Sequence, residues 1–338
     1  MSSRIDQRNR SVHPGQQPHV PKLSLSKLTM SLQLKYVIVT PARNEARFIE
    51  LTLRSVVAQT VLPLKWVIVS DGSTDGTDDI VRQYAAQHEW IELLRMPERV
   101  ERNFSGKVLA FNAGREKMAG LDYQVIASLD ADITFDPDYF GFLLSKLAES
   151  PSLGVVGTPF QELSGQVYDY RFVSSEHVSG ACQVFRRECF EAIGGYMPMK
   201  GGSIDHVAVI SARMRGWQTR SYMEKVCTHH REMGTAQQGL LKARFNQGAK
   251  DYRIGNHPLW EVFRVAYQIT RAPRLVGGLA LGWGYVYGAV RRVKRQVSPE
   301  LVKFHRTEQL GRLKKKLGMS VPTDGNMFLA ARGNGGQE

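Results

Sequence analysis

From Tyr36 onward, short apolar runs alternate with stretches of helical periodicity. Residues 36–40, 65–70, 91–94 and 124–129 read as strands, and 46–58, 78–88 and 107–119 as the helices between them. This alternation predicts an α/β fold whose mostly parallel central sheet is covered by helices on both faces. After a helix at 139–148 and a strand at 153–158, the regularity weakens through 160–179. A strand at 180–186, a short helix to Ile193, a break at Gly194-Gly195, a helix at 204–215 and a strand at 217–222 follow. Amphipathic helices at 236–252 and 258–270 are divided by Gly255 and Pro258. No linker interrupts 36–258, so its halves 36–132 and 133–258 are expected to share one sheet, with 259–318 as a C-terminal helical extension.

Residues 275–290 are uncharged and contain five glycines with Trp283, Tyr285 and Tyr287. As a helix this segment reaches ~24 Å, short of the ~30 Å hydrocarbon core of a bilayer. Two readings stay open. It is either a segment lying at an anionic membrane surface, or a buried glycine-containing helix packed on the body with a solvated basic helix after it.

Charge separates the flanks from the body. The net charge is +13, with ten Lys or Arg against two Glu in 291–318 and six against one Asp in 1–35, whereas 36–290 is nearly neutral. That distribution argues against a nucleic-acid groove across the body. The basic 1–35 segment reads as a flexible tail without the apolar stretch of a secretory signal, and 319–338 as a disordered tail. Cys182, Cys189 and Cys227 lack metal-type spacing and fit buried thiols in a reducing compartment. At 338 residues with 42% apolar content, the chain can bury a sizeable core.

Candidate chemistry gathers where strands end. Asp130-Ala131-Asp132 leaves the strand at 124–129, and side chains two apart leave a strand on the same side, so both carboxylates can face one divalent cation. Asp136-Pro137-Asp138 shares the spacing but reads as a helix cap with proline in the first turn. Pro41-Ala42-Arg43-Asn44-Glu45 follows the first strand, and Asp71-Gly72-Ser73-Thr74-Asp75-Gly76-Thr77 follows the second. The latter reads either as an ordinary turn before a capped helix or as a loop whose Asp71 meets a base or ribose. Open parallel sheets bind ligands at these carboxyl ends.

In this order, the motifs resemble the family 2 glycosyltransferases of the GT-A, Rossmann-like nucleotide-sugar fold. The resemblance covers 36–235 and adds Lys107 with Asn112 and Gly114, the 187–195 segment, and Asp205 before 213–217. It implies that Pro41, Ala42, Arg43, Glu45, Asp71, Lys107, Asp130, Ala131 and Arg231 line the nucleotide-sugar site. It further implies that Asp132 and one of His229 and His230 hold Mg²⁺ or Mn²⁺, and that Asp205 is the catalytic base. Adjacent histidines in a strand point oppositely, so at most one of the two is a ligand. Many relatives place Glu before the base where Ile204 stands here, and His206 reads as a helix-surface residue. No Gln-x-x-Arg-Trp follows Asp205, which fits addition of a single sugar rather than processive synthesis.

The implied function is inverting, metal-dependent transfer from a nucleoside-diphosphate sugar to an acceptor hydroxyl. The expected acceptor is a saccharide or lipid-linked saccharide in cell-surface polysaccharide synthesis, and no nucleic acid is expected as a partner. The implied location is cytoplasmic, peripheral on the inner membrane face and in contact with anionic lipid. A non-catalytic nucleotide-sugar-binding scaffold of the same fold is the alternative. A nicotinamide-dependent dehydrogenase is disfavoured because no Gly-x-Gly-x-x-Gly follows the first strand.

Overall fold

The computed structural model describes residues 34–98, 104–162, 174–199, 201–231 and 239–319. The expected tails, part of 160–179 and the start of the helix expected at 236 lie outside the described residues.

β1 (Tyr36–Ala42), β2 (Lys65–Asp71), β3 (Ile91–Met96) and β4 (Val125–Leu129) are parallel, in the spatial order β3-β2-β1-β4. Beyond β4 the sheet continues through β8 (Cys182–Arg186), β6 (Leu153–Gly157) and β9 (Gln218–Ser221) to seven strands. Only β8 runs against its neighbours in this sheet, as a mostly parallel sheet requires. The winding reverses beside β1, since β2 and β3 step to one side and β4 lies on the other. Such a reversal opens a crevice at the carboxyl ends of the strands.

Strand residues sort by twos onto the two faces. Ile38, Trp66, Ile68 and Ala127 meet Leu53, Val81 and Phe140 from α1 (Ile49–Val57), α2 (Thr77–Ala85) and α4 (Tyr139–Glu149). Val37, Val39, Val67 and Val69 meet Phe111, Phe190 and Val207 from α3 (Phe104–Glu116), α5 (Arg187–Ala192) and α6 (Ile204–Met214). Both faces are therefore core, which explains why these strands are continuous apolar runs rather than alternating ones. Two local expectations are corrected. The first helix begins at Ile49 rather than at 46, after a turn in which the Phe48 amide donates to the Glu45 carbonyl at 2.9 Å. Asp138 heads α4 without a side-chain cap, its carboxylate being taken by Lys225 at 2.6 Å.

A second, three-stranded sheet has no clear signature in the sequence because its strands are so short. β10 (Cys227–His229) lies between β5 (Ile133–Thr134), to which it is antiparallel, and β7 (Phe160–Glu162), to which it is parallel. Its register sets His229 opposite Ile133, the residue after Asp132.

The extension comprises α7 (Leu240–Ile254), α8 (Pro258–Ile269), α9 (Arg274–Val290) and α10 (Pro299–Lys316). The glycines of α9 bring it into backbone contact with α7: a Cβ on Gly284 would sit 1.9 Å from the Phe245 carbonyl oxygen, and one on Gly248 1.9 Å from that of Leu281. Gly278 likewise faces Ile269 and the Val265 carbonyl of α8. One face of α9 is thus buried, as one of the two sequence readings expects, while Leu279, Trp283 and Val290 on its other side are exposed. Among the described residues no helix is long and apolar enough to cross a membrane. α10 starts at Ser298, whose hydroxyl accepts from the Leu301 amide at 3.2 Å. Its Val302 packs against Gly255, and Glu308 pairs with Arg213 of α6 at 2.6 Å.

The seam sets a test of packing. Gly→Ala in a helix interior ordinarily gains up to about 1 kcal/mol, and Gly311 of α10, with nothing within 4 Å of its Cβ position, should follow that rule. Gly284→Ala instead drives a methyl into backbone, and overpacking of this kind costs about 1–3 kcal/mol. Urea denaturation should show a lower midpoint for Gly284→Ala and a slightly higher one for Gly311→Ala. An unchanged midpoint for Gly284→Ala would contradict backbone contact at the seam.

Candidate active site

The loop leaving β1 is held by the loop leaving β2. Asn44, at φ 56, donates its amide to Ser73 Oγ at 3.1 Å, while its side-chain oxygen accepts from the Thr74 amide at 2.9 Å. The Glu45 amide donates to Thr77 Oγ1 at 2.8 Å and the Ala46 amide to Asp75 Oδ2 at 2.9 Å. Gly72, at φ +69, passes so near Glu98 that a Cβ would lie 2.7 Å from its Cα. Most of the 71–77 motif therefore clamps the first loop and leaves Asp71, buried, facing Arg43 at 3.8 Å. The motif reveals Asp71 but not that Ser73, Asp75 and Thr77 are the clamp. Ala42 and Ala131 turn their methyls into the core, so they can offer a ligand only backbone. Pro41 lies at the end of β1, paired with Val69.

Lys107 lies in the first turn of α3, on the same helix face as Phe111 and Gly114. Gly114 lets that face close on the sheet, since a Cβ there would meet Val39 and Val69 at 2.6 and 2.8 Å. Lys107 consequently reaches the end of β4 and forms an ion pair with Asp130. Burial draws the Lys107 ammonium down, but Asp130, followed by Asp205 and Asp132, more than offsets this and holds it above the ordinary lysine value. Burial raises Asp130, with Lys107 opposing and Asp132 adding to the rise.

Asp132 faces the other way. Its Oδ1 lies 3.6 Å from His229 Nε2, and its Oδ2 lies 3.2 Å from Arg231 Nε. The Arg231 guanidinium also pairs with Glu45. Burial, opposed by Arg231 and reinforced by Asp132, pushes the Glu45 carboxyl up to about 7. His230 turns away, its Nε2 lying 2.8 Å from Thr134 Oγ1. The register of β10 thus answers a question left open by the sequence: of the two histidines, His229 meets Asp132.

Can these residues hold a metal? His229 Nδ1 contacts the Arg231 carbonyl. A carbonyl only accepts, so Nδ1 carries the proton, and in the neutral ring Nε2 offers its lone pair toward Asp132. An imidazole anchored to a backbone carbonyl through its other nitrogen is the usual posture of a metal ligand. Asp130 is committed to Lys107, and among the described residues no three His, Cys, Asp or Glu side chains form a complete cage. The residues fit a divalent cation that takes its remaining ligands from phosphate oxygens and water.

Asp205 is the second residue of α6. The cap position belongs to Ser203, at φ 72, so Asp205 is not the N-cap. Gly180 makes space for it: a Cβ there would lie 2.9 Å from Asp205 Oδ2. The fully buried Gln183 of β8 donates to the Asp205 carbonyl at 3.3 Å and the Val178 carbonyl at 3.0 Å, and accepts from the Tyr196 hydroxyl at 2.8 Å. Lys107, Asp130, His229 and Asp205 line one cavity of about 300 Å³, walled by Phe111, Phe160 and Tyr196.

His206 is not the helix-surface residue expected. It packs against His177, Nδ1 to Nδ1 at 3.4 Å, and edge-on against His305 of α10 with ring centroids 5.6 Å apart. Burial pushes all three imidazoles below the ordinary histidine value, helped by Arg213 and Arg312, and His305 falls to about 3. No local pattern marks His177 or His305, because only the tertiary fold brings them beside α6.

Residues 37–173 match the family model Glycosyl transferase family 2. Over 193 residues the chain is 30% identical to the succinoglycan biosynthesis protein ExoA of Rhizobium meliloti, covering 52% of this chain and 56% of that protein. The chain spans 18–56% of the length of such curated relatives. Among solved structures, S. aureus TarS 1-349 with UDP-GlcNAc superposes with a TM-score of 0.54 at 14% identity, over 85% of this chain and 93% of that one. The mannosyltransferase PcManGT of Pyrobaculum calidifontis, in complex with GDP-Man and Mn²⁺, gives 0.50 at 18%, over 89% and 80%. The fold is therefore that of the GT-A glycosyltransferases, and residues 37–173 are similar to glycosyl transferase family 2.

The histidine cluster sets a pH dependence. An unfolded histidine takes a proton as pH falls through ~6.5, whereas His305 in the fold resists protonation until about 3. Its contribution to stability is intact above ~6.5 and declines on acidification below that value. Glu45, raised in the fold, acts in the opposite sense, so a difference between proteins isolates the histidine. Relative to pH 8, wild type should lose about 1–2 kcal/mol against His305→Gln by pH 5. Parallel urea curves at the two pH values measure this, and a pH-independent difference would contradict the buried neutral ring.

Proposed function

We propose, on the match of residues 37–173 to family 2, that the protein is an inverting, metal-dependent glycosyltransferase. It moves one sugar from a nucleoside-diphosphate sugar to an acceptor hydroxyl. The observation that carries the reading is the cavity lined by Lys107, Asp130, His229 and Asp205, with Asp132 facing His229 beside it and Asp205 in the first turn of α6. The named relatives, among them a succinoglycan biosynthesis protein, and neighbours solved with GDP-Man and Mn²⁺ or with UDP-GlcNAc, support it.

In this reading Asp71 and Arg43, at the ends of β2 and β1, hold the nucleoside. Arg231 exchanges carboxylate partners for the diphosphate, to which its planar fork is suited. A divalent cation at Asp132 and His229 would stabilise negative charge on the departing diphosphate. Lys107 keeps Asp130 paired while the donor occupies the cavity. Asp205 accepts the proton of the acceptor hydroxyl as its oxygen bonds to the anomeric carbon and the bond to the diphosphate breaks. Attack from the side opposite the leaving group inverts the anomeric centre. The acceptor is a lipid-linked saccharide of cell-surface polysaccharide synthesis, met at the cytoplasmic face of an anionic membrane by a peripheral protein. The alternative is a non-catalytic nucleotide-sugar-binding scaffold of the same fold, favoured by the Arg231 bridge between Glu45 and Asp132, which gives the carboxylate expected to take the cation a protein partner.

Release of nucleoside diphosphate from a panel of sugar nucleotides, with Mn²⁺ or Mg²⁺, decides between the two. Asp205→Asn should retain donor binding and lose about 10²–10⁴-fold in turnover, as removal of a general base does. Asp132→Ala should lose the metal dependence of binding as well. Donor binding by wild type without turnover, membrane extract included, would establish the scaffold.

A further inference from the structure

The outer side of α8 and α9 takes no part in the site. On α9, Gly278 and Gly282 face Val265 and Ile269 of α8, while Leu281, Gly284 and Gly288 face α7. The arc that remains, about 120° wide at 3.6 residues per turn, carries Leu275, Leu279, Trp283, Val286, Tyr287 and Val290. All six are exposed, Trp283 at 62% and Val290 at 73%. No charged side chain interrupts the helix after Arg274. On α8, Leu259 and Val262 are exposed as well, and Val262 lies within about 60° of the residues that pack on α9. The two apolar rows therefore adjoin across the α8–α9 seam.

The surrounding charge selects the occupant. Between 262 and 299 the chain has seven Lys or Arg and neither Asp nor Glu. Arg274 stands exposed at the start of α9, and Arg291, Arg292, Lys294 and Arg295 stand exposed just past its end. A second copy of the chain seated on this face would set cations against cations. Anionic headgroups would meet cations at both ends and acyl chains between them, with Trp283 and Tyr287 at the depth where amphipathic rings settle. Because its glycine side is fixed to α7 and α8 by backbone contact, α9 can offer only its outer half and must lie along the surface.

We propose that the exposed arc of α9, with Leu259 and Val262 of α8, is a docking face for an anionic lipid bilayer. α9 lies flat in the interface, with the basic residues at its two ends among the headgroups. This rests on the reading of the acceptor as membrane-borne and names the surface that meets the membrane.

Sedimentation of the full chain with phosphatidylcholine vesicles, with and without about a third phosphatidylglycerol, tests it. Wild type should bind the anionic vesicles and bind phosphatidylcholine alone weakly. Leu279→Ser/Val286→Ser and, separately, Arg291→Gln/Arg292→Gln should each weaken binding roughly tenfold or more. All these positions are exposed, so far-ultraviolet circular dichroism should not change. Undiminished binding by both double variants would overturn the proposal. So would a concentration-dependent dimer of wild type that ignores vesicles and is dispersed by Leu279→Ser/Val286→Ser. Nucleoside diphosphate release in solution, measured on the same samples, separates the outcomes. Release without vesicle binding removes the docking face and leaves the enzyme standing; vesicle binding without release removes the enzyme and leaves the face.

Discussion

Carboxylate crowding at the open end of one sheet is the constraint around which this molecule is arranged. Glu45, Asp130, Asp132 and Asp205 approach one cavity and its rim, and Lys107 and Arg231 are the cations placed among them. Removing each charge from water costs several kcal/mol, and pairing returns that only where geometry is good. The rise of Glu45 to about 7 and of Asp130 above its ordinary value records the part that pairing does not return. A group of ions in this balance is a poor way to stabilise a fold and a good way to recognise a ligand carrying charge. Each cation touches partners that a phosphate could replace, so a phosphate ligand would be met by groups already in place.

The scaffold holds those groups by close approach rather than by long side chains. Gly114 sets α3, and with it Lys107, against β1 and β2; Gly180 lets Asp205 enter the cavity; Gly72 turns the second loop back so that Ser73, Asp75 and Thr77 can fix the first. The small β5–β10–β7 sheet does for His229 what the large sheet does for Asp130. In each case a close approach at a glycine or a strand pairing helps to position a side chain of the site.

Sequence pattern carries the parts of this that are local. Four parallel strands, their helices and the motifs at their ends follow from periodicity and from Asp and Gly at turns, and the fold brings Asp130, Lys107 and Asp205 to one cavity with Asp132 beside its His229. What the pattern does not carry is pairing at a distance. The choice of His229 over His230 depends on the register of a three-residue strand, and the packing of His206 depends on a ring from α10. The antiparallel direction of β8 has the same origin, since an apolar run such as 182–186 reads alike in either sense. For 275–290, uncharged sequence admits both a buried and an interfacial helix, and the fold gives α9 one buried face and one exposed face.

The helical extension and the cavity are joined by contacts that leave little room for relative movement. α9 is seated on α7 backbone to backbone, Gly255 at the end of α7 receives Val302 of α10, and α10 reaches α6 through Glu308 to Arg213 and His305 to His206. His206 is the residue next to Asp205. A chain of contacts is not in itself a signal, but it does fix an orientation. If α9 lies flat on a bilayer, the angle at which the cavity meets that surface is set by the fold rather than by a flexible tether, because the segment between them is packed helix. A soluble acceptor would gain nothing from such a fixed angle, whereas an acceptor confined to a membrane plane can be approached from one side only. The packing of the extension thus bears on the proposed membrane-borne acceptor through geometry alone, since it would set the side from which the cavity meets that acceptor.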